Sequence, residues 1–255
     1  MEEGIQKASI AKRISAGLLD LIAVTIIATL CAWIISIATD YDGWNKKLED
    51  SYAHYESQYG VVFRITEEEY FSKSKAEREQ YDTAYKALIS DNDAMKAYNM
   101  VSNLMVLTVS IGLFIAFLIW EFIIPLFLKD GRTVGSLIFG IAVMRSNGVR
   151  VSHISLFIRA ILGKYVIETM IPVYLVLMIL MNTIGIVGPL VIAGILILEI
   201  CLIIGTRNNQ LIHCILSDTV VVDYASQMIF DSEEALLEHK KIVARERVDR
   251  DPYYK

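Results

Sequence analysis

Residues 165–205 read YVIETMIPVYLVLMILMNTIGIVGPLVIAGILILEICLIIG, an apolar stretch with no long polar interruption. One membrane crossing needs roughly 20 residues at about 1.5 Å rise each, so this stretch is about twice as long as a single span requires. Near its centre lie Asn182, Thr183, Gly185, Gly188 and Pro189, residues that break helices and make tight turns. The stretch therefore predicts two helices folded back on one another.

Two more apolar blocks lie upstream, Ile14 to Ala38 and Leu104 to Leu128, each long enough for one crossing. Four spans result. With 55% hydrophobic residues and a mean hydropathy of +0.46, the chain is too apolar for a soluble domain of its length. The first block has a signal peptide as its rival reading. Its apolar run is longer than a usual signal core and no small-x-small cleavage site follows cleanly, so it is expected to stay as an anchor. Cys31, Cys201 and Cys214 fall in or beside spans and the long polar loop has none, which leaves no disulfide framework or zinc-ligand spacing. No cofactor is expected.

Charge orients the spans. Lys12 and Arg13 abut the first span, and basic flanks stay in the cytoplasm. Residues 39–100 hold eight basic against thirteen acidic side chains, a net of −5, whereas residues 129–164 hold six basic against Asp130 alone, a net of +5. The first loop is expected outside and the second inside, with both termini cytoplasmic in a cell membrane.

Six segments follow: a cytoplasmic start with span one (1–38), an extracytoplasmic helical domain (39–100), span two (101–128), a cytoplasmic loop (129–164), spans three and four (165–206) and a cytoplasmic tail (207–255). In the outer domain Trp44, Leu48, Tyr52, Tyr55 and Tyr59 recur at helical spacing. Thr66 and Glu69 form a capping-box signature for a second helix, whose continuation through Ala94 to Tyr98 runs toward span two. The tyrosines there either pack on one another or present an aromatic binding face. On the inner side, Ile141 to Met144, Val149 to Val151 and Thr219 to Val222 are strand candidates, the first two flanking an Asn147-Gly148 turn. Ser155 to Lys164 is a basic amphipathic pattern suited to anionic lipid, and Asp231 to Glu234 offers a helix start. The fold class expected is an all-α integral membrane protein of four transmembrane helices, with an extracytoplasmic helical insertion and a small cytoplasmic-face β-hairpin or sheet.

Three patches resemble the RDD family of small multi-pass membrane proteins. They are Arg13 with Asp20 opening the first span, Lys129-Asp130-Gly131-Arg132-Thr133-Val134-Gly135 continuing through Gly140 and Val143, and Asn209-Gln210-Leu211-Ile212-His213. Arg159 before span three fits as well, and the resemblance covers most of the chain outside the outer loop. The family commonly has Asp after the late His, where this chain has Cys214. Asp218 lies one helical turn on, as a possible substitute or as the start of a strand.

Asp20, Glu121, Glu168 and Glu199 fall in or near spans, where an ionised carboxylate costs on the order of 2.5–3.5 kcal/mol even on lenient scales. Each needs a partner, water or a proton. Asp20 stands two helical turns after Arg13, about 10 Å along the axis, so it either pairs structurally or serves as a cation or proton carboxylate. Glu121 and Glu168 each precede a proline by four residues, Pro125 and Pro172, where the helix loses a backbone hydrogen bond and bends. All four acids are expected in the cytoplasmic half, converging with Arg13, Arg132, Arg159 and His213 into one polar cluster.

The resemblance implies cation/proton exchange for some family members; if this chain transports, Asp20, Glu121, Glu168 and Glu199 are the expected carriers and a homo-oligomer is expected to enclose the path. The alternative is a membrane scaffold or regulatory protein that binds a protein partner through residues 42–98. An enzyme is not expected: there is no metal-ligand set, no phosphate loop with its lysine, and His213-Cys214 is a bare neighbour pair. Lipid is the expected environment. Basic residues beside spans are explained by orientation and anionic lipid, so no nucleic-acid role is expected.

Overall fold

Each apolar block becomes a helix whose side chains are largely left uncovered by protein. The computed structural model describes residues 5–181 and 183–250. In chain order, α1 (Ile10–Ala38) is followed by α2 (Tyr41–Tyr59), α3 (Glu67–Ser72), α4 (Lys75–Ser90) and α5 (Asn92–Phe127). After them come α6 (Val134–Ile138), β1 (Ile141–Arg145), α7 (His153–Leu180), α8 (Val187–Gly205), α9 (Ile212–Leu216), β2 (Thr219–Asp223) and α10 (Glu233–Arg250).

Four of these, α1, α5, α7 and α8, are long and apolar enough to cross a membrane. In α1 and α8 only 6% of the most apolar window is buried by the rest of the protein. Ile14, Leu18, Leu21, Ile22 and Ile26 on α1 alone are all more than half exposed. Water does not tolerate so continuous an apolar surface, and lipid does. The expected hairpin is present, with α7 ending at Leu180 and α8 beginning at Val187. Its turn is held by Thr183, whose amide and hydroxyl both donate to the Met178 carbonyl at 2.9 Å. The turn residue Asn182 lies outside the described residues.

The chain divides into two compact units, one formed by Met1–Ala28 with Leu113–Lys255, the other by Thr29–Gly112. In the second unit α2 carries the aromatic stripe and stops at Gly60, whose φ of 65° favours glycine. Thr66 and Glu69 form the expected capping box, and Ser74 with Glu77 forms another at the start of α4. Asp91 then opens α5: its Oδ1 accepts from the Asp93 amide at 2.8 Å, and its Oδ2 accepts from the Tyr55 hydroxyl at 3.2 Å. That amide bond, more than any other influence, holds the Asp91 carboxyl below the usual carboxylate range. As expected, this helix continues without a break into span two.

In the first unit β1 and β2 pair antiparallel, from Ile141 opposite Asp223 to Arg145 opposite Thr219. The sheet is apolar on both sides. Ala142, Met144, Val220 and Val222 pack with Ile5 and Ile229, while Ile141 and Val221 pack with Ala8, Ala16 and Cys214. This is the two-residue alternation of strands, buried on both faces. The segment before α1 joins the sheet, with the Ala8 amide donating to Val221 and the Asp223 amide to Gln6.

Residues 149–151 do not form the expected third strand. They make isolated bridges only, Met144 to Arg150 and Val149 to Phe230. The Asn147-Gly148 turn reverses the chain as expected, but Ser152 already caps α7 by accepting from the Ser155 amide. Two residues after the bridge, the backbone has left the ladder.

Candidate functional site

The spans that carry Glu121 and Glu168 are irregular where those acids sit. A prolyl nitrogen has no hydrogen to give the carbonyl four residues back, so Pro125 and Pro172 release the carbonyls of Glu121 and Glu168. The helix answers by widening. Leu118–Ile123 in α5 and Ile158–Met170 in α7 are π-helical, with the Ile124 amide reaching Ile119 and the Ile171 amide reaching Val166. Such turns rotate side chains away from the regular helical face and recur at functional sites.

The widened segments border a cavity of about 330 Å³, lined by Arg13, Asp20, Glu121, Arg159, Lys164, Glu168 and His213 among others. Of the nine residues singled out, the eight expected to cluster and Asp218, six are therefore brought together, and Lys164 joins them.

Asp20 is 4% exposed and fully occupied. Its Oδ1 accepts from the Trp120 indole and the Gly135 amide, both at 2.9 Å, and its Oδ2 accepts from the Thr133 hydroxyl at 2.5 Å. Thr133 caps α6, so Asp20 closes the amino end of that short helix and ties it to α1 and α5. Position 135 must be glycine here, because a Cβ would sit 2.8 Å from the Asp20 Cγ and would also collide with the Ala16 carbonyl. Asp20 and Arg13 do not pair: the Arg13 guanidinium donates to the Asn209 carbonyl. Asn209 has a φ of 52°, which asparagine tolerates better than most residues, and this turn points its carbonyl at Arg13.

Glu121 is buried and accepts from Lys164 at 2.5 Å. Glu168 accepts twice from His213, from its backbone amide at 2.9 Å and its Nδ1 at 2.8 Å. Close helix contact permits this, since a Cβ at Gly163 would lie 2.6 Å from the His213 Cα. Behind Glu168 stands Glu199, outside the cavity wall. Both Glu199 carboxyl oxygens are buried. The Glu168 carboxyl and the Ile212 amide are its polar neighbours, acting through proximity rather than through a closed hydrogen bond.

Arg159 is 8% exposed and donates to the Cys214 Sγ at 3.0 Å and the Thr219 hydroxyl at 3.1 Å. Burial opposes ionisation of the Cys214 thiol, yet Arg159 and then His213 hold it well below its ordinary value. Burial likewise opposes charge on His213, but Cys214 and Glu168 keep it above the usual histidine value. His213 and Cys214 are both buried, the imidazole meeting Glu168 and the thiol meeting Arg159.

Two expected members lie elsewhere. Arg132 places its guanidinium 4.0 Å from the centre of the Tyr224 ring. Asp218 has a φ of 51°, accepts from the Ser146 hydroxyl and lies 3.7 Å from Arg145. It does not take the place of a carboxylate beside His213; the Cys214 sulfur meets Arg159 instead. Among the described residues no group of three or more His, Cys, Asp or Glu side chains is placed to hold a metal ion.

Residues 7–218 match the RDD family, from the segment beside the sheet to the residue before β2. The chain belongs to the RDD family. No curated protein and no solved structure matches it. Within this RDD protein the resembling patches are neighbours in space: Asp20 binds Thr133 and Gly135, Arg13 binds Asn209, and Gln210 donates to the Thr219 carbonyl at 3.0 Å. Sequence reading missed Lys164, Trp120, Thr133 and Thr219 as site partners. The first stands four residues before Glu168 on one helix face, a visible hint. Trp120 and Thr219 carry no comparable signal.

Proposed function

We propose that this RDD protein carries out cation/proton exchange, with Glu168, Glu199 and His213 holding the exchangeable proton. The observation that supports this most is Glu199, whose two oxygens are buried without a closed hydrogen bond beside the Glu168–His213 pair. A carboxylate in that position calls for a proton or a cation as partner, since leaving it ionised and alone at membrane depth is costly. Glu168 links it to the cavity and His213 supplies a second group able to take and release a proton. Lys164 and Arg159 keep the cavity from accumulating uncompensated negative charge.

The basic-residue bias favours cytoplasmic termini in a cell membrane, with the cavity at the cytoplasmic side. Four helices are few for an enclosed path, so the working unit is a homo-oligomer. No enzymatic step is part of this function. A second reading, a scaffold that binds a protein partner through residues 42–98, draws support from the separate compactness of the 29–112 unit.

The test is purified protein in sealed vesicles with a pH-sensitive dye and an imposed proton gradient. Added sodium or potassium is expected to discharge the gradient, and Glu199→Gln to slow this at least about tenfold while the melting temperature holds. Cation-independent dye signals, or a Glu199→Gln protein as fast as wild type, would overturn the proposal. Exchange that survives deletion of residues 42–98 would assign the insertion to a separate task.

A further inference from the structure

The 29–112 unit contains a cavity of its own, of about 340 Å³, and five of its eleven lining residues are aromatic. Tyr52 comes from α2, Phe63 from the loop after it, Tyr81 and Tyr85 from α4 and Tyr98 from the start of α5, with Glu49 at the side. Phe63 is the hub. Its ring centre lies 5.9 Å from Tyr52, 5.7 Å from Tyr81 and 6.5 Å from Tyr85, tilted or edge-on in each case. The Tyr81 hydroxyl donates to the Phe63 carbonyl at 3.3 Å, which fixes two of the rings to one another. Rings that served only to pack would close the space between them; these leave a cavity within the size range of ligand sites.

Glu49 is the one carboxylate on the wall, and the ring faces around it carry partial negative charge. Burial pushes the Tyr52 hydroxyl above its ordinary value, and Tyr98, Tyr85 and Glu49 add to the effect while Arg64 opposes it. Residues 39–100, which supply all of the lining except Val101 and Ser102, carry a net charge of −5. The one cation on the wall, Arg64, is ion-paired with Glu49 and its side chain is 69% exposed, so it stands at the rim as a competitor for that carboxylate.

From this arrangement we propose that the insertion binds a small organic cation bearing an alkylated ammonium group. Aromatic faces attract such a group through their quadrupole, its methyls suit an apolar wall, and Glu49 balances its charge. A hydrated metal ion would lose water without gaining enough oxygen ligands, and an anion would meet carboxylate and phenol oxygens. The site is independent of the proton site proposed above and stands or falls separately from it.

The experiment is calorimetric titration of the full-length protein in nanodiscs with choline, and with 3,3-dimethylbutan-1-ol, its neutral carbon isostere. Choline is expected to bind saturably, at least about tenfold tighter than the isostere, as cation–π attraction requires. Tyr85→Ala removes the most open wall ring of α4, 49% exposed, and is expected to weaken choline about tenfold with the helical signal unchanged. Glu49→Gln weakens it too, whereas Arg64→Ala tightens it by removing the competitor for Glu49. Equal binding of the neutral isostere would reduce the site to an apolar hole, and weaker choline binding in Arg64→Ala would remove Glu49 as the balancing charge. Each of these results overturns the proposal, the Arg64→Ala result because it would show that Glu49 is not the counter-charge for which Arg64 competes, as does the absence of saturable choline binding at tens of millimolar.

Discussion

Replacing Asp20 by alanine removes the acceptor for three donors at once: the Trp120 indole, the Thr133 hydroxyl and the Gly135 amide. Hydrogen bonds between membrane helices average about 0.6 kcal/mol, and bonds to a charged group reach about 1.5 kcal/mol or more. Three of them set the loss at about 2–5 kcal/mol. At roughly 2–4 °C per kcal/mol for a chain near this size, the melting temperature should fall by about 4–20 °C. Asp20→Asn keeps the shape and one carbonyl acceptor, so it should lose less than half as much. The assay is thermal unfolding of each purified variant in one detergent, followed by tryptophan fluorescence, which also reports Trp120. An Asp20→Ala protein melting within about 2 °C of wild type would refute the conclusion that Asp20 is a structural junction.

At Gly163→Ala the new Cβ would press on the His213 backbone, 2.6 Å from its Cα, and a close-packed contact cannot absorb that without a shift. The expected loss is about 1–3 kcal/mol, read as a lower melting temperature, and an unchanged value would contradict the close packing. Asp91 gives a pH signature. Its folded carboxyl is lowered by the Asp93 and Ala94 amides and by Tyr55, so its stabilisation is present above the unfolded value near about 3.9 and is lost as pH falls through the lower folded value. Wild type and Asp91→Ala should differ in melting temperature at neutral pH and converge in acid; a difference independent of pH would exclude the carboxylate as its source.

The spans, their hairpin, the capping box at Thr66 and both real strands were legible because their causes are local. Apolar length, turn residues and residue alternation act over a few positions. The false third strand shows the limit of that logic, since residues 149–151 have the right composition but Ser152 starts α7 immediately after them. Asp20 shows another limit. Its acidity marked it for notice, but its partners lie 100 to 115 positions away and one of them is a backbone amide. Arg13 misled for the same reason, pointing by helical spacing at Asp20 while its acceptor is the Asn209 carbonyl. The convergence of charges was legible for a physical reason: buried ionisable groups in lipid must find one another or water.

The environments of the acids decide which of them can trade partners. Asp20 receives three donors, one of them the amide that opens α6, and releasing it for a cation would undo that helix end. Glu121 holds a lysine, so a cation arriving there would have to displace a charge already in place. Glu199 has no bond to give up, and Glu168 shares its carboxylate with a histidine that can gain or lose a proton. The exchange proposed above would therefore fall to the α7–α8 pair rather than to the patch around Arg13 and Asp20. Variants at Asp20 and Glu199 should separate cleanly: Asp20→Asn lowers stability and leaves exchange per folded molecule, whereas Glu199→Gln leaves stability and removes exchange.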